Sequence, residues 1–141
     1  MPQHIETIEL AAVPEEVWRL LAQPERWFEG YVETRSRSLD YPGRDTDNDH
    51  VFRTRMKEDV RARVTRSEPP ALLEEAHEGK TFARNLRYRL EAADGRTRLT
   101  VEDEISFKGL ARLAAPLAFR DVKRRWARSL AKLRAGAEAG G

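Results

Sequence analysis

The sequence predicts an α+β fold in which an antiparallel sheet of about seven strands is covered on one face by a long C-terminal helix. Three observations lead there. From Tyr31 to Phe107, β-branched and aromatic residues recur at alternate positions, and the breaks "DYPGRDTDND", "KED", "SEPP", "HEG" and "ADG" are too short for crossover helices. Before that stretch, Pro14 and Pro24 each sit where a helix begins. After it, the chain from Gly109 carries an apolar stripe at helical spacing.

Taken in order, "QHIETIEL" places Ile5, then Ile8 and Leu10, in a first strand with some irregularity. "VPEEVWRLL" is a short helix: Glu15 and Glu16 favour its positive end, and Val17, Leu20 and Leu21 form its buried stripe. "PERWFE" is a second, closed by Gly30 in a left-handed conformation. The six strands between Tyr31 and Phe107 then form a meander.

Strand register follows from asking which turns keep apolar residues on one face. A two-residue turn at Asp94-Gly95 sets Leu90 opposite Leu99, Tyr88 opposite Val101, Leu86 opposite Asp103, Arg84 opposite Ile105 and Phe82 opposite Phe107. A slip of one residue would oppose this row to Thr100 and Glu102. A turn at Glu78-Gly79 adds Glu75 opposite Phe82 and Leu73 opposite Arg84. With "KED" as the loop, Phe52, Thr54 and Met56 face Val64, Ala62 and Val60. The other face then collects Arg53, Arg55, Arg61, Arg63, Arg87, Arg89 and Arg98 among Glu74, Glu102 and Glu104, a wet surface of cross-strand ion pairs.

The C-terminal segment must cover the apolar face. Leu110, Leu113 and Leu117 share one phase, while Phe119, Val122, Trp126, Leu130 and Leu133 share another. Pro116 lies at the change and predicts a kink or a fresh start, followed by a helix to about Arg134. The tail, 135–141, is expected to fray.

The length of 141 residues suits one domain with one core. No apolar run is long enough to span a membrane, and "MPQHIETIEL" lacks the pattern of a signal peptide, so the expected location is cytoplasmic. Zero cysteines exclude disulfides, thiolate metal sites and cysteine nucleophiles. A net charge of +2 gives no general pull toward nucleic acid, and no nucleic-acid partner is expected. "DTDND" spaces Asp45, Asp47 and Asp49 as a calcium loop begins, but the required glycine and glutamate positions hold His50 and Met56. His4, His50 and His77 are too scattered for zinc, and no phosphate loop or nucleophile elbow occurs. No metal or cofactor is implied.

The element order, with "VPEEVWRLLAQPERW" after the first strand, "ARVTRSEPPALLE" in mid-sheet, "YRLEAADGRTRLTVEDEI" in the last hairpin and the terminal amphipathic helix, resembles the START and polyketide-cyclase-like superfamily across essentially the whole chain. The resemblance implies a helix-grip fold, a curved sheet wrapped around the long helix, with a cavity between them for an apolar molecule. Members of that superfamily include carriers, aromatases and cyclases, and proteins that regulate chaperones or ribosomes. They share no catalytic motif, so none is carried over.

This setting bears on one irregular residue. Asp103 interrupts the apolar row Leu99, Val101, Ile105, Phe107, where a lone carboxylate would cost several kcal/mol in a packed layer. Arg84 is diagonal to it on the adjacent strand, within ion-pairing reach. Glu75, His77 and Tyr88 share the face. Three readings fit Arg84 and Asp103: a structural strut bridging two strands, edge residues reaching solvent, or a pair that orients a ligand.

The leading expectation is a carrier or sensor of a small apolar or amphipathic ligand. Phe52, Met56, Leu86, Val101, Phe107 and Trp126 would desolvate it, and Arg84, Asp103 and Tyr88, with Glu75 and His77, would supply polar contacts. The alternatives are an aromatase/cyclase-like enzyme using the same polar residues as acid and base, or an interaction protein using the basic run "RDVKRRWARSLAKLR" with Arg124, Arg125 and Arg128. The sequence leaves the catalytic question and the oligomeric state open.

Overall fold

A computed structural model of the chain describes residues 3–36, 49–54 and 57–139. The "DTDND" loop and Met56 with its expected inward placement therefore lie outside the described residues, apart from the backbone of Asp49. The elements run β1 (Gln3–Leu10), α1 (Pro14–Leu21), α2 (Pro24–Trp27), β2 (Tyr31–Ser36), β3 (Asp49–Arg53), β4 (Asp59–Glu68), β5 (Leu72–Glu78), β6 (Phe82–Ala93) and β7 (Arg96–Phe107). A 3-10 segment, Gly109–Ala114, then leads into α3 (Ala115–Glu138). The strands form one curved antiparallel sheet in the order β1-β7-β6-β5-β4-β3-β2, gripping α3 in the helix-grip manner.

The β6–β7 hairpin has the expected register, Leu86 opposite Asp103 and Phe82 opposite Phe107. Asp94 (φ 53°) and Gly95 (φ 76°) both take the left-handed backbone that a tight hairpin turn requires. Two other hairpins differ from expectation by four residues. Glu75 lies opposite Leu86 rather than Phe82, and Leu73 opposite Tyr88 rather than Arg84. Val60 lies opposite Phe52 rather than Met56, and Ala62 opposite His50 rather than Thr54.

Both corrections have a shared physical cause, because the two loops are tied to each other. Thr54 N donates to Glu58 O at 2.9 Å and Gly79 N to Phe82 O at 2.9 Å, closing turns of the expected lengths, each displaced by two residues along the chain. The Glu58 carboxylate then accepts the Thr81 amide at 3.0 Å. It also fills the space where a Cβ on Gly79 would stand. A shift of an even number of residues leaves each side chain on its own face. The outer face accordingly carries the expected cross-strand pairs, with Arg87 3.0 Å from Glu74 and 3.5 Å from Glu102.

The core lies between the sheet and the helices. Leu10, Leu99, Val101, Leu86 and Leu73 meet Val17 and Leu21 of α1 and Leu130 and Leu133 of α3. Pro116 marks a fresh helical start, occupying the first turn of α3 where its missing N–H costs nothing. The helix runs past its expected end at Arg134 to Glu138, where Ala137 is buried and Glu138 Oε2 accepts the Ala11 amide at 3.2 Å. The phase of Leu110, Leu113 and Leu117 has no partner in the core, and these leucines are 85%, 83% and 69% exposed.

Candidate functional site

Asp103 is fully buried on the inner face of β7, where two side chains converge on its Oδ2. Trp126 of α3 donates its indole N–H at 2.7 Å, and Arg84 of β6 brings Nη1 to 3.5 Å. Oδ1 has no hydrogen-bond partner among the described residues. The carboxylate thus joins sheet to helix, and the strut expected of Arg84 and Asp103 is formed.

Beside it, Arg84 Nε donates to Nδ1 of His77 at 3.2 Å, and His77 Nε2 meets Glu75 Oε1 at 2.9 Å. A guanidinium has only donors, so Nδ1 must accept and Nε2 must carry the proton that binds Glu75. Neutral His77 is satisfied at both nitrogens; protonation would turn Nδ1–H against the Arg84 N–H. Burial, and then the charge of Arg84, push its pKa below the ordinary 6.5, against the opposing pull of Glu75 and Asp103.

The consequence for stability has a definite sign. Unfolded chains bind a proton at His77 as pH falls through about 6.5, while the folded chain resists it, so stability present above that pH is lost on acidification. The unfolding midpoint is expected to fall between pH 7 and pH 5 more steeply in the wild type than in His77→Gln, as read by urea titration at each pH. Equal slopes would show that His77 is not the group responsible. Glu29, held below its ordinary value by its bond to Arg128 and by nearby charges, acts below about pH 4.5, outside this window.

A cavity of about 620 Å³ opens beside this network, between the sheet and the first half of α3. It forms because the helical side presents short residues, Ala111, Ala114 and Ala118, where the second half of α3 presents leucines. Aromatic rings make much of the rest: Phe28 and Phe52 lie 4.2 Å apart between centroids, and Phe28 meets Trp126 edge-on at 5.6 Å. The Arg84 guanidinium sits 5.9 Å from the Phe28 ring centre and 5.8 Å from that of Phe82.

Of the expected site residues, Arg84, Phe52, Phe107 and Trp126 line this cavity. Asp103, Glu75, His77, Tyr88, Leu86 and Val101 do not; they are buried on the same face, behind the residues that do. Tyr88 packs edge-on against Trp27 and Trp126, each 6.1 Å away, as part of the core. Arg125, read as part of an outward basic run, turns inward instead and donates to the carbonyls of Glu29 (3.0 Å) and Arg53 (2.9 Å). Burial lowers its pKa.

Sequence reasoning missed Ser129, Val60 and Thr81 on the cavity wall. Ser129 carried a signal: it is a polar residue beside Leu130 in the helix stripe, and its hydroxyl accepts the Glu29 amide at 3.0 Å. Among the described residues there is no cluster of metal-ligating side chains and no helix long and apolar enough to cross a membrane.

Comparison with known proteins is consistent with this geometry. The family described as polyketide cyclase / dehydrase and lipid transport matches residues 1–138. No curated protein sequence matches the chain. Among solved structures, the Zhui aromatase/cyclase from Streptomyces sp. R1128 superposes with a TM-score of 0.81 at 14% identity, covering 99% of this chain and 98% of that one. A START superfamily protein from Mycobacterium smegmatis gives 0.74 at 15% identity, with 97% of each chain covered. A protein from Thermus thermophilus gives 0.79 at 15%, with 99% of each covered. Identities this low establish a common fold.

Proposed function

Since the chain belongs to the polyketide cyclase, dehydrase and lipid-transport family, we propose that it binds a small apolar or amphipathic molecule in the cavity beside α3, with Arg84 gripping one oxygen of that molecule. The observation that carries this reading is the state of the Arg84 side chain. Nε is committed to His77 and Nη1 lies near Asp103, but Nη2 has no partner among the described residues and the guanidinium lines the cavity. An oxygen acceptor on a bound molecule would satisfy it. Because Asp103 already faces the guanidinium charge, a neutral carbonyl or hydroxyl suffices, and the aromatic walls favour flat rings.

Binding is favoured over cyclase-type catalysis by where the titratable groups lie. A general acid or base must reach the substrate within hydrogen-bond distance, yet Asp103, Glu75, His77 and Tyr88 are set behind the wall. Of the three carboxylates that do reach it, Glu29 and Glu58 are bound to Arg128 and Thr81, and Asp121 lies in the field of Arg125 and Arg128.

Isothermal titration with a panel of oxygenated aromatic compounds and their deoxy analogues tests the proposal. Arg84→Lys, which keeps a cation near Asp103 but removes the free Nη2, is expected to weaken binding about tenfold. Ala118→Trp, at a half-buried wall position, should abolish it by filling the space. Affinity unchanged in both variants, or equal for the deoxy analogues, would refute the assignment.

A further inference from the structure

The segment following β7 is unlike the rest of the surface. Leu110 and Leu113 project from the 3-10 segment at 85% and 83% exposure, and Leu117, in the first turn of α3, is 69% exposed. A soluble surface scatters single leucines, but three at spacings of three and four residues form one apolar ridge. From Phe107 to Arg120 the sequence contains Lys108, Arg112 and Arg120 and no acidic residue. Along α3, Leu117, Arg120 and Arg124 follow at further spacings of three and four, so the ridge continues directly into an exposed basic band on one helix face. Asp121, the nearest acid, belongs to the cavity wall instead.

We propose that this ridge docks the protein on an anionic lipid bilayer, with Leu110, Leu113 and Leu117 entering the acyl boundary and Arg112, Arg120 and Arg124 lying against the headgroups. The pattern of an apolar edge flanked by arginines is what an interfacial segment needs, since hydrocarbon burial and headgroup attraction act at adjacent depths. The leucines form a projecting ridge, and a fluid hydrocarbon phase receives such a ridge without a shaped pocket. A second copy of the chain fits less well. An isologous contact through the ridge would bring the two basic bands together, and three leucines fall short of the roughly 1,000 Å² that a stable interface buries.

The position of the ridge gives docking a consequence. Leu117, Ala111 and Ala114 belong both to this segment and to the cavity wall, so the docked face includes one side of the cavity. An apolar molecule could pass between bilayer and cavity with little exposure to water. The docking itself does not depend on what the cavity holds.

Cosedimentation of the full chain with vesicles of phosphatidylcholine alone, or of phosphatidylcholine with phosphatidylglycerol, tests the proposal. Binding is expected only to the second, weakening as salt is raised. Leu110→Ser with Leu113→Ser should reduce it at least about tenfold, and this variant removes no core contact, so its thermal unfolding should match the wild type. Arg120→Gln with Arg124→Gln should reduce it roughly fivefold per arginine, whereas Arg89→Gln with Arg98→Gln, the same charge change on the outer sheet face, should leave it nearly unchanged. Absence of binding to the anionic vesicles, or binding indifferent to the leucine or Arg120/Arg124 changes, would overturn the proposal. So would a dimer in sedimentation equilibrium that the leucine variant dissociates, which would assign the ridge to a second copy.

Discussion

Asp103→Ala is expected to lower the free energy of unfolding by about 3–5 kcal/mol, because it removes one partner of a buried ion pair and leaves the other behind. Three losses coincide. The Trp126 indole N–H loses its acceptor, Arg84 loses its counter-charge, and the space of the carboxylate is left empty in a fully buried layer. Asp103→Asn keeps an acceptor for Trp126 at nearly the same volume and is expected to cost only about 1–3 kcal/mol. Urea titration of both variants checks the values, and a drop in melting temperature of roughly 10 °C or more for alanine is the thermal counterpart. A loss below about 1 kcal/mol for alanine would mean that the pair contributes little beyond breaking even with its desolvation.

The second large effect is expected at Gly30. Its backbone is left-handed, with φ at 89°, and its carbonyl accepts the Arg53 amide at 2.7 Å. A Cβ there would overlap both the Arg53 carbonyl oxygen and Arg125 Nη2. Those are the two groups whose hydrogen bond ties the end of β3 to α3. Gly30→Ala is therefore expected to cost about 3 kcal/mol, part from the disfavoured conformation and the larger part from displacing the arginine. Gly95→Ala is the control. It shares the positive φ (76°) but meets nothing within 4 Å, so it should cost only about 1 kcal/mol. Equal losses at the two sites, by urea titration, would show that the Arg125 contacts carry no weight.

Much of the fold was legible because local and long-range signals agreed. Asp94-Gly95 specified a tight turn, and the apolar row through Leu90, Tyr88 and Leu86 independently demanded the same register. At the Glu78-Gly79 and "KED" turns only the alternation was informative, and alternation cannot detect a slip of four residues. What accompanies the displaced turns is Glu58 reaching Thr81, a contact between loops 23 positions apart, which periodicity cannot register. Pairing of Arg84 with Asp103 was readable from neighbouring strands. Which of the two faces the cavity was not, since that depends on where α3 places Trp126. Arg125 was misplaced for a related reason: it is one residue from the apolar stripe, and only the crossing of α3 over Gly30 decides that it turns inward.

The bond from Trp126 to Asp103 also has a bearing on what the cavity wall presents. Greasy contacts are indifferent to direction, so a rod lying on an oily sheet could settle at several angles of roll about its own axis with similar energy. A hydrogen bond is not indifferent, and this one acts as a keyway. Rolling the rod by one residue, about 100°, would turn Trp126 away and replace Val122, Arg125 and Ser129 on the cavity wall by their neighbours. A single carboxylate on the sheet thereby chooses the chemistry that the helix turns toward the cavity.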